Sequence, residues 1–159
     1  RLAVEQGSRL RIEYRSMRTP EPHARTVDPH SLIQAGRRWH MRGYCLETSD
    51  FRDFVLGRIA KITVLDQRSE HTVTDDSKWN AVVKVRIQAH PKLTPGQQDL
   101  VRSEYFDGTA VRVHSCRGAM LPYLVQELRL ALDTTKEMPP EYQLAVENVK
   151  EVRKWLFPA

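Results

Sequence analysis

"RRWHMRGYC", residues 37–45, decides the reading of the first half of the chain, because strand alternation splits it into two chemically different faces. Trp39, Met41, Gly43 and Cys45 fall on one side, and Arg38, His40, Arg42 and Tyr44 on the other. A half-buried strand has this pattern, but its polar face here consists of cations and hydrogen-bonding rings rather than generic solvated residues. Upstream, "RLRIEYRS" (9–16) alternates Leu10, Ile12 and Tyr14 with charged residues and reads as a strand, and "MRTPEPHAR" (17–25) reads as a turn or loop. "TVDPHSLIQAG" (26–36) adds a short extended segment, a break at Asp28-Pro29, a brief "LIQA" and a turn at Gly36. Downstream, "TSDFRDFVLGRI" (48–59) is a further strand after a Thr-Ser-Asp turn. Four or five short strands in so little chain predict a small antiparallel barrel, since an open sheet of that size exposes its edges.

The polar stretch "DQRSEHTVTDDSK" (66–78) has Val73 as its one aliphatic residue and reads as a linker, giving a first domain over 1–66, a linker over 67–78 and a second domain over 79–159. In the second domain "WNAVVKVRIQAH" alternates Val83, Val85 and Ile87 with polar residues as a strand. "TPGQQDLVRSEYF" opens a helix with Thr94 as N-cap and Pro95 in the first turn. "GTAVRVHS" is a second strand, and "RGAMLPYLVQELRLALD" predicts a helix with Leu121, Leu124, Val125, Leu128 and Leu132 on one stripe. "PPEYQLAVENVKEVRKWLFPA" predicts a final helix carrying Tyr142, Val146, Val149, Val152 and Trp155. The expected fold class is therefore mainly β followed by a small α+β module.

Composition sets the chemistry. The chain has 159 residues, a net charge of +5 and a pI near 9.4, which favours an anionic partner. All eleven basic residues from Arg1 to Arg58 are Arg, whereas seven Lys and seven Arg follow from Lys61 onward. Arg is the side chain that grips phosphate or carboxylate with a two-pronged fork and stacks on rings. No apolar run approaches the roughly 20 residues that span a bilayer, and residue 1 onward lacks the apolar core of a secretion signal, so no membrane partner and a cytoplasmic location are expected. Cys45 and Cys116 read as buried thiols. Neither a G-x-x-x-x-G-K-[ST] nor a G-x-G-x-x-G loop occurs, no H-E-x-x-H occurs, and the six histidines never fall at i, i+4 on a predicted helix. An enzyme, a metal site and a cofactor are all unexpected, which leaves binding or assembly.

The blocks from residue 10 to 59 resemble the WYL domain, a small SH3-like or Sm-like barrel of bacterial transcription regulators. Tyr14 and Ser16 match a strand ending Y-x-S, Arg25 with Val27 and Pro29 match an Arg leading into V-x-P, and "RDFVLGRI" matches R-x-F-x-L-x-R-I. Trp39-His40-Met41 stands at the name-giving W-Y-L, so an imidazole replaces a phenol. Within that group "WH" with "RDFVLGRI" looks most like regulators of anti-phage defence loci such as BREX and CBASS. The second domain resembles the C-terminal extension, called WCX, that follows WYL domains. The resemblance implies a ligand pocket at Ser16, Arg25, Trp39, His40, Arg52 and Arg58, an effector that is single-stranded nucleic acid or nucleotide-like, a homodimer, and operator DNA read by an N-terminal domain missing from this sequence. Arg52 and Arg58 share strand parity with the core-like Phe54 and Leu56, so both arginines have to emerge at the ends of that core, which a bend or short helical turn near Gly57 would allow.

Overall fold

The computed structural model describes residues 1–156 and divides into two compact units, Arg1–Ser77 and Lys78–Ala159. In the first, a short helix α1 (Leu2–Gln6) leads into β1 (Ser8–Tyr14), β2 (His23–Ala35), β3 (Arg38–Cys45), β4 (Asp50–Val55), a single 3-10 turn (Leu56–Arg58) and β5 (Ile59–Arg68). These strands form one antiparallel sheet in the order β4-β3-β2-β1-β5. The alternation predicted for β1 holds, because Leu10, Ile12 and Tyr14 are all buried. Gly36, at φ 56, supplies the left-handed backbone of the tight link between β2 and β3, where Ala35 pairs with Arg38. The break expected at Asp28-Pro29 is a register shift between Pro29 and Ser31 inside one continuous strand. A bulge tolerates a residue that has no N–H to give the ladder.

The sheet rolls. β4 and β5 are its two edges, about 19 Å apart if five strands lay flat, yet the three residues Leu56–Arg58 join them, a span of at most about 14 Å. Tyr14 of β1 accordingly reaches across the core, packing edge-on against Phe54 of β4 at 5.1 Å and accepting a hydrogen bond from the Val55 N–H at 3.2 Å. Among the described residues no ladder joins β4 to β5, so the hydrogen-bonded structure is a rolled sheet, mainly antiparallel. The inner face holds Leu10, Ile12, Val27, Met41, Cys45 and Phe54. Gly43 belongs there for steric reasons: a Cβ would lie 2.5 Å from the Asp28 carbonyl oxygen and 2.8 Å from Pro29 Cα, both backbone atoms that cannot swing aside. Gly43→Ala is expected to destabilise the first unit by about 1–3 kcal/mol, the usual cost of overpacking, read as a lower urea midpoint with an unchanged slope.

The second unit carries α2 (Ser77–Asn80) at its entry, then β6 (Val82–Ala89), α3 (Pro95–Tyr105), β7 (Val111–Arg117), α4 (Leu121–Glu127), β8 (Leu130–Ala131), β9 (Leu144–Val146) and α5 (Val149–Val152). Its sheet has the order β7-β6-β9-β8, antiparallel except for the β8–β9 pair. Val83, Val85 and Ile87 face a core completed by Val101, Phe106 and Leu121. Thr94 caps α3 as expected, exchanging hydrogen bonds with Gln97 in a capping box.

Two predicted helices are shorter than their apolar stripes. α4 ends at Glu127, Arg129 adopts φ 47, and the chain then enters β8. The physical reason lies in the pattern, since Leu128, Leu130 and Leu132 alternate with Arg129, Ala131 and Asp133 at strand period. In the segment expected as a final helix, Leu144, Ala145 and Val146 are consecutive and all buried, which suits a strand flanked by β6 and β8. Asn148 then accepts from Arg86 N and donates to the Lys84 carbonyl, both at 2.9 Å, so only the four-residue α5 and a 3-10 turn follow. The last three residues of that expected helix, 157–159, lie outside the described residues.

Candidate functional site

Three of the six residues implied as a pocket gather at the 3-10 turn Leu56–Arg58. Ser16 and Arg58 line one groove of about 280 Å³ together with Arg15, Met17 and Gly57. Trp39 and Arg58 line a second, of about 470 Å³, together with Arg37, Arg38 and Val55. Gly57 and Arg58 belong to both, so the two grooves meet at this turn. The turn supplies the bend that brings Arg58 out of the parity of Phe54. Trp39, expected beside Met41 on the apolar face, is 49% exposed, near the end of the sheet where β3 begins. Ser16 is held by its own loop, its hydroxyl accepting from Thr19 N at 2.9 Å and its amide donating to the Thr19 carbonyl.

The other three lie elsewhere. His40 is buried beneath the groove, with Val55 as its cross-strand partner. Arg25 donates to the neighbouring Ala24 carbonyl at 2.8 Å, and Arg52 donates to Asp50 at 2.8 Å. Arg25 lies opposite Ile12, whereas Arg52 lies opposite Gly43, which pairs with Pro29. Register therefore separates these two guanidinium groups by two strands and about four residues, and they do not share a pocket.

The outer face of β3, whose cations and rings stood out in the sequence, is covered by the polar segment that follows β5. Arg42 is 4% exposed and forks onto Asp76, Nε donating to Oδ2 at 2.6 Å and Nη2 to Oδ1 at 3.0 Å, while Nη1 donates to Asp53 at 2.9 Å. His30 Nε2 donates to the same Asp76 oxygen at 3.0 Å, with Ser31 Oγ against its Nδ1. One strand over, Arg9 forks onto Asp28 at 2.8 and 3.1 Å, and Asp28 Oδ2 also accepts from Glu70 N, His71 N and His71 Nδ1. The His71 ring stacks flat on Tyr44 at 3.6 Å. Residues 69–76 thus form a strap over the sheet, fixed at one end by the buried Arg42–Asp76 fork and at the other by Glu70 and His71, which donate to the Asp28 carboxylate that Arg9 also holds.

Residues 82–152 match the family described as "BrxR transcriptional regulator, C-terminal dimerization domain", and residues 1–64 match the WYL domain. The chain is a WYL domain joined to a BrxR C-terminal dimerization domain. Among curated relatives, a "DNA-binding transcriptional repressor CapW" of Pseudomonas aeruginosa is 35% identical over 152 residues, covering 95% of this chain and 50% of that protein. The CapW of Escherichia coli strain KTE188 is 34% identical over 153 residues, covering 94% and 50%. That of Stenotrophomonas maltophilia is 35% identical over 156 residues, covering 97% and 52%. The chain spans about half the length of these relatives. Proteasome accessory factor B/C (PafBC) of Arthrobacter aurescens aligns with a TM-score of 0.42 and 19% identity over 97% of this chain and 25% of that one.

In the WYL domain, sequence reasoning missed Arg15, Arg37 and Arg38 as groove residues and the whole ion-pair face under the strap. A signal existed for the first group, since Arg37-Arg38 flank the Gly36 turn and Arg15 adjoins Ser16. None existed for the second, because Asp76 lies 34 positions from Arg42. Burial opposes ionisation of Asp28, but the hydrogen bonds from Arg9 and His71 outweigh it and hold the carboxyl at about 2. A depressed carboxylate contributes stability that is complete above its unfolded value near 3.8 and is lost as pH falls toward 2. Burial also holds His30 and His40 below the ordinary imidazole value, against the pull of Asp76 on the former and Asp53 on the latter. Their unfolded forms take up protons first, so the WYL domain is expected to lose stability as pH falls below about 6.5. Thermal melts at pH 7.5 and 5.5 check this: Tm falls in the parent, and falls less in His30→Gln.

Proposed function

We propose that this chain is the effector-sensing and dimerisation portion of a cytoplasmic transcriptional repressor, with an anionic effector of nucleic-acid or nucleotide type held in the groove at Arg58. One observation carries the reading: Arg15, Arg37, Arg38 and Arg58 surround a single turn beside a half-exposed Trp39, and the described residues lining the two grooves include no carboxylate. Guanidinium forks suit phosphate oxygens, and an exposed indole suits the face of a base. Ser16 adds a hydroxyl, Arg25 and Arg52 stand away from this site, and His40 lies buried opposite the groove residue Val55. The rolled sheet serves as the SH3-like barrel of the family. The first domain, over 1–66, senses; the C-terminal module, over 79–159, pairs two copies; and operator DNA is read by the half of the CapW relatives that this chain does not span. Neither turnover nor a cofactor belongs to this reading.

The test is fluorescence anisotropy with a labelled single-stranded thymidine octamer at several salt concentrations, together with light scattering at two protein concentrations. Binding that weakens steeply with salt supports the reading. A dimer that ignores the octamer overturns the sensing half and favours a purely structural homodimerisation module. The internal pairing of Arg9, Arg42 and Arg52 with Asp28, Asp76 and Asp50 is what favours that second reading.

A further inference from the structure

On the outer face of the rolled sheet, cross-strand register lays a ladder of polar groups from the groove to the strap. Arg38 stands at the groove. Two residues along β3 is His40, opposite Val55, which also lines the groove. Two further along is Arg42, opposite Asp53, and next is Tyr44, opposite Phe51. Side chains two apart on a strand share a face, and diagonal neighbours across a pair lie within about 7–8 Å. His40 and Asp53 are such diagonal neighbours, and Asp53, with its side chain 9% exposed, holds Nη1 of Arg42. The guanidinium plane is thereby fixed so that Nε and Nη2 present their fork to Asp76. From Asp76 the chain runs through Ser77 directly into the second unit.

We infer that occupancy of the Arg58 groove is coupled to attachment of the 69–76 strap through Asp53, which is shared between His40 on the groove side and Arg42 under the strap. The inference rests on the groove reading above for its ligand, but the ladder itself does not. With no anion bound, burial first and then the charges of Arg38 and Arg58 oppose protonation of His40, against the pull of Asp53, while Asp53 accepts from Nη1 of Arg42. An anion in the groove offsets those two charges. His40 then takes a proton from solvent, the imidazolium draws Asp53 toward itself, and Arg42 loses the support that orients its fork on Asp76. Ile33, opposite His40 on β2, is uncharged, and His30 and Asp76 lie one rung further on at Arg42. A ligand shifts an equilibrium only by its different affinity for the two states, and here the difference is the charge on His40.

Hydrogen exchange of the strap tests this without a known effector. The amides of Glu70 and His71 donate to Asp28 of β2, so they report strap attachment, while Ile12 in the core serves as the internal reference. Arg38→Gln/Arg58→Gln, which removes the groove charges at partly or fully exposed positions, is expected to speed exchange at these two strap amides several-fold with Ile12 unchanged. Asp53→Asn is expected to do the same and to abolish any further response. Strap exchange unchanged in both variants overturns the coupling whatever the ligand proves to be. In the parent chain, a thymidine octamer that binds and speeds strap exchange supports it, and an octamer that binds without touching strap exchange overturns it while leaving the groove reading intact. An octamer that fails to bind overturns the groove reading, and the two ligand-free variants then decide the coupling alone.

Discussion

Arg42→Ala is expected to destabilise the first unit by about 3–5 kcal/mol, because it removes one partner of a buried ion pair and leaves two carboxylates under the strap without their cation. For a chain of this size each kcal/mol is worth about 2–4 °C in Tm, so the melt falls by about 10 °C. Asp53 and Asp76 are nearly sealed from solvent, with side chains 9% and 2% exposed, and neither regains hydration without lifting residues 69–76. Asp76→Ala is expected to cost a similar amount. The double variant costs less than the two single effects added together, because no orphaned guanidinium then faces an orphaned carboxylate. Urea titrations of all four chains at neutral pH complete the cycle. Arg52→Ala provides the contrast: its pair with Asp50 is about half exposed on both sides, and such a pair contributes at most about 1 kcal/mol. Equal destabilisation by Arg42→Ala and Arg52→Ala contradicts the account of the strap as a buried electrostatic clamp.

Arg58→Ala is expected to weaken octamer binding at least about tenfold, the loss of one charge-assisted bond of about 1.5–3 kcal/mol. It lies at the junction of both grooves, and among the described residues only Gly57 shares that place with it. The slope of log affinity against log salt should become shallower by about 0.7, the value for one fewer phosphate neutralised on a single strand. Trp39→Ala is expected to cost about 1–3 kcal/mol through the missing base stack, with the salt slope unaltered, which distinguishes a ring interaction from a charge interaction. Arg25→Ala and Arg52→Ala should leave affinity within twofold or so, since each is engaged away from the turn. Anisotropy titrations of the five proteins across a salt series measure all of this. An effect of Arg52→Ala as large as that of Arg58→Ala moves the site from the turn to the β4 edge.

β1, β3 and β4 were legible because each side chain's face is set by its own parity: Leu10, Ile12 and Tyr14 had only one way to be buried together, whereas β5, exposed along most of its length, carries no such signal. The Thr94 cap and the helix it starts were legible for a similar reason, the needed partner being three residues away. The helices expected over 117–133 and 139–159 were over-read because an apolar stripe at spacing three or four runs on into an alternating or continuous apolar stretch. Which period wins depends on whether a neighbouring strand is present to pair with, as β6 and β8 are for β9.

For the site, sequence by itself determined the chemistry: a stretch from Arg1 to Arg58 whose basic residues are all Arg, an indole and a hydroxyl in WYL-type positions, and no motif suited to catalysis. Only the tertiary structure decided which arginines are available. Eleven guanidinium groups look alike in the sequence, but Arg9 and Arg42 are consumed by carboxylates 19 and 34 residues away, while Arg15, Arg37, Arg38 and Arg58 are drawn to one turn by the rolling of the sheet. Residue type fixes what a side chain can bind. Long-range pairing in a medium that excludes water fixes whether the protein has already bound it.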